Sequence, residues 1–294
     1  MLNQNKFVVS HAPFWHNGSS VTERTYHTIW AALPAVLFGI FQYGWPAISV
    51  LSLSVSTAIL WELLLNRLTK RPVAIGDANA ALLGLIFGMM VPAAAPWWAV
   101  LTGTFITVVI GKQIFGGIGG NVFHPVLVAL AILKVSWGDF FDHDIALVNF
   151  DLDFAGIHPL SALKYYGVAA IDRFTIPGLL LGQQIGGIGT TFGLGLLIGG
   201  IYLMLRGFIR WEISLTFLAG VFVTASIFNL ADAARFAGPV FHIVTGYTLI
   251  GAFFLATEDS SSPVNFLPML IYGFGGGVMT VLIRNIGVYP DGVI

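Results

Sequence analysis

The chain has 294 residues, 56% of them hydrophobic and only 9% charged, with a mean hydropathy of +0.86. So few charges exclude an ordinary soluble domain, which carries about 25% charged residues and avoids large exposed apolar patches. A net charge of −1 excludes a basic nucleic-acid-binding face, and the lack of cysteine excludes disulfides, Cys-ligated clusters and thiol catalysis.

What remains is a chain whose solvent is lipid: an all-α polytopic membrane protein. Residues 1–26 lack a Lys/Arg start followed by an apolar core, so they read as a cytoplasmic segment, not a cleavable leader. A spanning helix needs about 20 mostly apolar residues. Candidates follow at Thr28–Tyr43, Trp45–Leu65, Ala80–Val91, Trp97–Ile114, Val122–Val135, Thr191–Leu205, Trp211–Leu230, Phe241–Ala256 and Phe266–Ile283. Several are short or rich in Gly. The span at Ala80 stops at Pro92, and the one at Phe241 carries His242, Gly246 and Gly251. Helices of this kind end inside the membrane, where freed backbone groups line a site instead of facing lipid.

Cations in the short loops set the orientation. Arg67, Lys70 and Arg71 follow the second span, Lys112 ends the fourth, and Arg206 and Arg210 follow the sixth. A cytoplasmic N-terminus puts all of them on the cytoplasmic side. Residues 136–190 then form an external loop holding Asp139, Asp142, Asp144, Asp151, Asp153 and Asp172 against Lys164 and Arg173. The segments 27–135 and 191–294 are the two membrane halves.

The halves echo one another. Pro96, Gly103 and Lys112 recur as Pro268, Gly275 and Arg284, each at an offset of 172. Each copy follows a short Gly-interrupted span, with Gly84 and Gly88 in one and Gly246 and Gly251 in the other. An odd number of spans separates the copies, so the expected architecture is two inverted repeats of about five helices. That architecture implies a tenth helix after Ile294, where this chain ends, so either the last helix is missing from this chain or the second repeat is incomplete.

Few groups offer chemistry. Glu62 reads as an interfacial carboxylate near Arg67. Lys112 and Arg284, at span ends, either snorkel to headgroups or hold an anionic cofactor or substrate. The glycines of Gln113–Pro125 serve either a close backbone approach to an anion or a tight re-entrant turn; no Gly-Lys-Ser/Thr follows, so this is no Walker loop. His124, beside Pro125, reads as a capping residue. His11 and His16 lie in the N-terminal tail, and His143 stands between two aspartates in a solvated loop. No HExxH spacing and no Ser/His/Asp set is present, so no metal site is expected and no catalytic residue is assigned. Gly186–Thr191 reads as a helix entry.

Five blocks carry a family resemblance: Ser10–Val21, Gly76–Trp98, "GKQIFGGIGGNVFHP" at Gly111–Pro125, "HIVTGYTLIGAFFLATEDSSSP" at His242–Pro263, and Ile283–Val293. In order and over nearly the whole chain, they resemble the D subunit of the Rnf electron-transport complex, which is similar to the B subunit of the sodium-pumping NADH:quinone reductase. The resemblance implies a ten-helix fold in two inverted halves, similar to urea transporters, in a bacterial or archaeal cytoplasmic membrane. It implies a subunit of an ion-translocating ferredoxin:NAD⁺ oxidoreductase that moves sodium ions or protons alongside other Rnf-type membrane and peripheral subunits. Such a subunit carries FMN, esterified to a Thr in an outer loop, and riboflavin stays open as a further cofactor.

This chain departs from the family where that Thr is expected. The family's Ser-Gly-Ala-Thr-Pro-Leu corresponds to Ala155-Gly156-Ile157-His158-Pro159-Leu160, and imidazole has no hydroxyl to esterify. The acidic residue expected about six positions earlier is displaced, with Leu152 there between Asp151 and Asp153. Three outcomes stay open: FMN bound without a covalent bond, His158 hydrogen-bonding its phosphate; an ester moved to Ser161 or Thr191; or flavin lost. His158 is also a plain candidate to cap the short helix begun by Pro159. The expected cofactor-binding set is therefore Gly156, His158, Pro159, Ser161, Lys112 and Arg284. The rival functions are a passive ion or solute channel of the same fold and a structural subunit without flavin.

Overall fold

The computed structural model describes residues 20–70, 75–148, 150, 154 and 156–294, and among them every regular element is helical. The first helix, α1 (Val21–Tyr43), starts earlier than hydropathy places it and runs through the expected boundary at residue 26. The reason is an N-cap: the Ser20 side chain accepts the Glu23 N–H at 3.0 Å. Gly44, at φ 64°, reverses the chain into α2 (Trp45–Leu68), a turn that a side chain would strain. Then come α3 (Asn79–Met90) and α4 (Trp97–Phe105), which continues as a π-helical turn (Ile106–Ile110), and α5 (Pro125–Ser136). The connecting segment holds α6 (His143–Ala146), α7 (Pro159–Tyr166) and α8 (Ile176–Leu180). The second half has α9 (Gly193–Leu205), α10 (Trp211–Ala231), α11 (Pro239–Val244), α12 (Thr248–Ile250) with its π turn (Gly251–Leu255), and α13 (Phe266–Ile286).

Among the described residues, four helical units are long and apolar enough to cross a membrane: Trp45–Leu68, Trp97–Phe115, Trp211–Ala231 and Phe266–Ile286. α3, α5 and α9 have only 12, 12 and 13 residues. A 12-residue helix rises about 18 Å, short of a hydrocarbon core of about 30 Å. Their ends must therefore be satisfied by protein.

At α3 the donors are visible. The Gly189 N–H bonds the Met89 carbonyl at 2.8 Å, the Tyr247 hydroxyl bonds that of Met90 at 2.8 Å, and the Ile188 N–H bonds that of Val91 at 3.2 Å. The Gly186–Thr191 run is thus buried and docked on the end of α3, rather than a helix entry; Phe192 occupies the N-cap of α9. At Gly187 a Cβ would lie 2.7 Å from the Met89 carbonyl oxygen, so only glycine lets the two backbones meet.

The expected span Phe241–Ala256 is broken. Gly246, at φ 64°, separates α11 from α12. Arg284 takes up the acceptors this break frees: its Nη1 donates to the His242 carbonyl at 2.7 Å, and its Nη2 to the Thr245 carbonyl at 3.3 Å and Thr248 Oγ1 at 2.8 Å.

Between helices, lipid gives no hydrophobic drive, so packing of small residues takes its place. Gly84 and Gly88 of α3 sit against Ser54 and Ala58 of α2, and Ser54 Oγ donates to the Gly84 carbonyl at 2.5 Å. Gly195 and Gly199 of α9 meet Ala35 and Ala31 of α1. Gly273 and Gly277 of α13 meet Thr216 and Phe217 of α10. Each pair of glycines is spaced i, i+4, one helical face. The equivalent Gly103 and Gly275 differ: a Cβ at Gly103 would overlap the Phe87 ring, whereas Gly275 faces open space.

Candidate functional site

Polar groups gather at the two ends of the bundle. One end carries the segment between α5 and α9. The other carries Arg24 at the start of α1, Lys112 beyond α4, Arg206 after α9, and the turn at Thr257–Ser260, all lining one cavity. α13 starts just after that turn and places Arg284 about 27 Å of helical rise further on. Lys112 and Arg284 therefore lie at opposite ends and form no joint anion site.

Each of them is buried against a carboxylate. Lys112 Nζ donates to Glu62 Oε1 at 2.7 Å, and Gln113 Nε2 joins at 3.1 Å. Glu62 is 1% exposed; it is not an interfacial partner of Arg67, because one face of α2 carries it inward to Lys112. Arg284 Nη2 meets Asp291 Oδ1 at 3.0 Å. Asp291 in turn accepts the Tyr247 N–H at 2.7 Å and the Val293 N–H at 3.2 Å. Both cations are committed within the chain.

At the segment end, Pro159 at N1 starts α7 and puts His158 at its N-cap, but the imidazole makes no capping bond. The His158 N–H instead donates to the Asp144 carboxylate. The side chain is buried edge-on to the His143 ring, centroids 5.5 Å apart. Burial holds the His158 pKa below the ordinary histidine value; Asp144 and Asp291 pull it up, and Lys134 and Arg284 push it down further. His143 is buried as well, a correction to the solvated loop expected for it. Asp142 caps α6 through the Asp144 N–H at 2.9 Å, and that turn aims His143 Nε2 at the Tyr247 hydroxyl, 2.7 Å away. The hydroxyl proton goes to the Met90 carbonyl, so the His143 tautomer here is Nε2–H. Lys164 ties α7 to the end of α13, donating to the carbonyls of Gly287 at 2.5 Å and Tyr289 at 3.0 Å. Ser161 is buried on α7, and Gly156 has open space about it. Asp151, Leu152, Asp153, Ala155, Arg71, His11 and His16 lie outside the described residues.

These residues do not fit an ester-linked flavin at position 158. There is no hydroxyl, the one backbone donor is taken by a carboxylate, and that carboxylate would repel an incoming phosphate. Thr191 is buried with its hydroxyl given to Gln42 Oε1 at 3.2 Å.

The cavity at the other end has a volume of about 750 Å³. Arg24 pairs with Asp259 across it. Asn121 Nδ2 donates to Glu258 Oε1 at 3.0 Å, and Ser261 holds the other Glu258 oxygen through its N–H at 3.0 Å and its hydroxyl at 2.5 Å. His124 caps α5, as expected: its Nδ1 accepts the Val126 N–H at 3.3 Å, leaving Nε2 to carry the proton. The volume lies within the range of small-molecule sites, about 300–1,000 Å³. Among the described residues no set of three metal-ligating side chains converges. Hydropathy and motif could not reveal this cavity, since its walls come from opposite ends of the chain; the Asn121–His124 and Glu258–Asp259 runs inside the Gly111–Pro125 and His242–Pro263 blocks were the available signal.

A family model described as the NQR2, RnfD, RnfE family matches residues 8–294. The chain is 32% identical over 305 residues to a Clostridium ljungdahlii protein named as the D subunit of a proton-translocating ferredoxin:NAD(+) oxidoreductase complex, covering 99% of this chain and 90% of that protein. It is 32% identical over 296 residues to the D subunit of the Na(+)-translocating ferredoxin:NAD(+) oxidoreductase complex of Acetobacterium woodii, covering 99% and 89%. It is 31% identical over 320 residues to the D subunit of the ion-translocating oxidoreductase complex of Aeromonas salmonicida, covering 97% and 91%.

Proposed function

The chain belongs to the NQR2, RnfD, RnfE family, and on that premise we propose that it is the D-type membrane subunit of an ion-translocating ferredoxin:NAD⁺ oxidoreductase. The observation that carries the reading is likeness to the D subunits of such complexes over nearly the whole of both chains. Electron carriers then come largely from partner subunits, since this chain holds no cysteine. The relatives named above differ in their ion, and here the coupling ion is a proton or sodium. The two membrane halves are inverted repeats in this reading, supported by a buried cation–carboxylate pair at each end of the bundle. The end bearing Arg24, Lys112 and Arg206 faces the cytoplasm, by the cation rule.

The flavin reading moves with the geometry. The 158 loop carries no phosphoester, and a neutral flavin such as riboflavin suits the 750 Å³ cavity, where Arg24, Lys112 and Glu258 already have protein partners. A flavin there would supply one-electron chemistry, with Asn121, His124 and Glu258 as the polar groups that orient it. Intact mass of the purified subunit and flavin released on denaturation test this together. Expected are the mass of the bare polypeptide and release of riboflavin. A mass raised by one esterified FMN would overturn the reading of the 158 loop. Bare mass with no released flavin would favour the structural subunit, for which the missing hydroxyl at 158 already speaks.

A further inference from the structure

A groove of about 340 Å³ runs along the outer face of α2, lined by Thr57, Leu60, Trp61, Leu64 and Arg67, with Leu101 of α4 opposite. The α2 positions recur at helical spacing, so they form one stripe. The Trp61 ring stands edge-on to Phe105, centroids 5.1 Å apart, and forms a wall. Leu60 and Leu64 are 59% and 46% exposed, which in a membrane means lipid-facing. At the end of the stripe, in the last turn of α2, stands Arg67. Among the described residues it has no ion-pair partner, because Glu62, the carboxylate nearest in sequence, is held by Lys112 and Gln113.

The length of the groove identifies its occupant. Thr57 to Arg67 spans about 15 Å of helix, half of a hydrocarbon core of about 30 Å. That is the depth of one leaflet. A partner's transmembrane helix would need a continuous apolar track twice as long, and here three exposed serines interrupt the track before Ile48 and Trp45. Beyond Thr57 the exposed face of α2 carries Ser56, Ser52 and Ser49, each hydroxyl bonded back to its own helix at 3.1, 3.1 and 2.7 Å. An unpaired guanidinium at the interface complements a phosphate, which it can hold through two N–H groups.

We propose that this groove is a binding site for one anionic glycerophospholipid. One acyl chain lies between Trp61, Leu64 and Leu101, and the phosphate meets Arg67, with Lys70 as a second cation at the same end. The site is independent of the redox reading.

Trp61 makes the site readable, its share of the signal from eight tryptophans being the fluorescence lost in Trp61→Phe. The whole chain is reconstituted into phosphatidylcholine vesicles with a minor fraction of phosphatidylglycerol, and the acyl chains of one lipid or the other are brominated to quench tryptophan. The expected result is a roughly fivefold preference for brominated phosphatidylglycerol, the size of one cation–anionic lipid contact. The preference should vanish in Trp61→Phe and in Arg67→Gln, an exposed position whose change leaves the fold intact, and persist in Arg67→Lys. Added inorganic phosphate should not abolish it. Equal quenching by both lipids, a preference unchanged in Arg67→Gln, or loss to free phosphate would each overturn the site. So would shielding of Trp61 from both lipids, which would mean that protein fills the groove.

Discussion

Glu62 and Lys112 are 50 residues apart in sequence and 2.7 Å apart in space, both almost fully buried. A pair of this kind adds little net stability, but removing one partner strands the other in a low dielectric, at about 3–5 kcal/mol. Lys112→Met should therefore destabilise the protein by that amount in thermal unfolding, and adding Glu62→Gln should restore most of it. A neutral Lys112→Met would mean that Glu62 does not depend on this lysine. Arg284→Gln should cost more, because it strands Asp291 and also three acceptors at the break between α11 and α12. The sequence pointed to both cations through their matched offsets, but not to their partners. Glu62 looked closer to Arg67, since linear distance hides which face of α2 turns inward. His158 gives a pH effect with a definite sign. Its folded pKa is depressed, so the docked loop is fully stable above the unfolded value of about 6.5 and weakens as pH falls from there toward the folded value. Hydrogen exchange of the α6 and α7 amides should speed up between about pH 7.5 and about pH 5.5 beyond its intrinsic change, and His158→Gln should flatten that difference.

On the scale of elements, the fold rests on helices too short to span and on what finishes them. Periodicity and hydropathy located α2, α10 and α13 within a few residues, because these helices face lipid and are apolar along their length. The same signals located α3 and the broken α11–α12 but could not say what closes their ends. The closing groups are distant in sequence: Gly189 and Tyr247 for α3, Arg284 for the break. Gly186–Thr191 looked like a helix entry because Gly and Thr are common there; its role depends on Met89 and Met90, which approach only in the folded chain. Tyr247→Phe should cost about 1–3 kcal/mol, the penalty for an acceptor left unpaired, and should loosen α6 along with α3. Gly187→Ala should cost about as much by pressing a Cβ onto the Met89 carbonyl. Thermal unfolding measures both, and an unchanged midpoint in Gly187→Ala would mean that this segment does not dock on α3.

As a whole molecule, the chain is a membrane-embedded helical bundle that buries the pairs Lys112–Glu62 and Arg284–Asp291 and holds a cavity of about 750 Å³ at the end bearing Arg24, Lys112 and Arg206. It belongs to the NQR2, RnfD, RnfE family and contains no cysteine, and the proposed role is tested in the assembly. The most direct test is ferredoxin-dependent NAD⁺ reduction, with ion uptake, in native membrane vesicles that contain or lack this chain. The account predicts that both are lost without the chain and return together when it is restored. Electron transfer and coupled ion uptake that persist in its absence, with only a passive solute permeability disappearing, would contradict it.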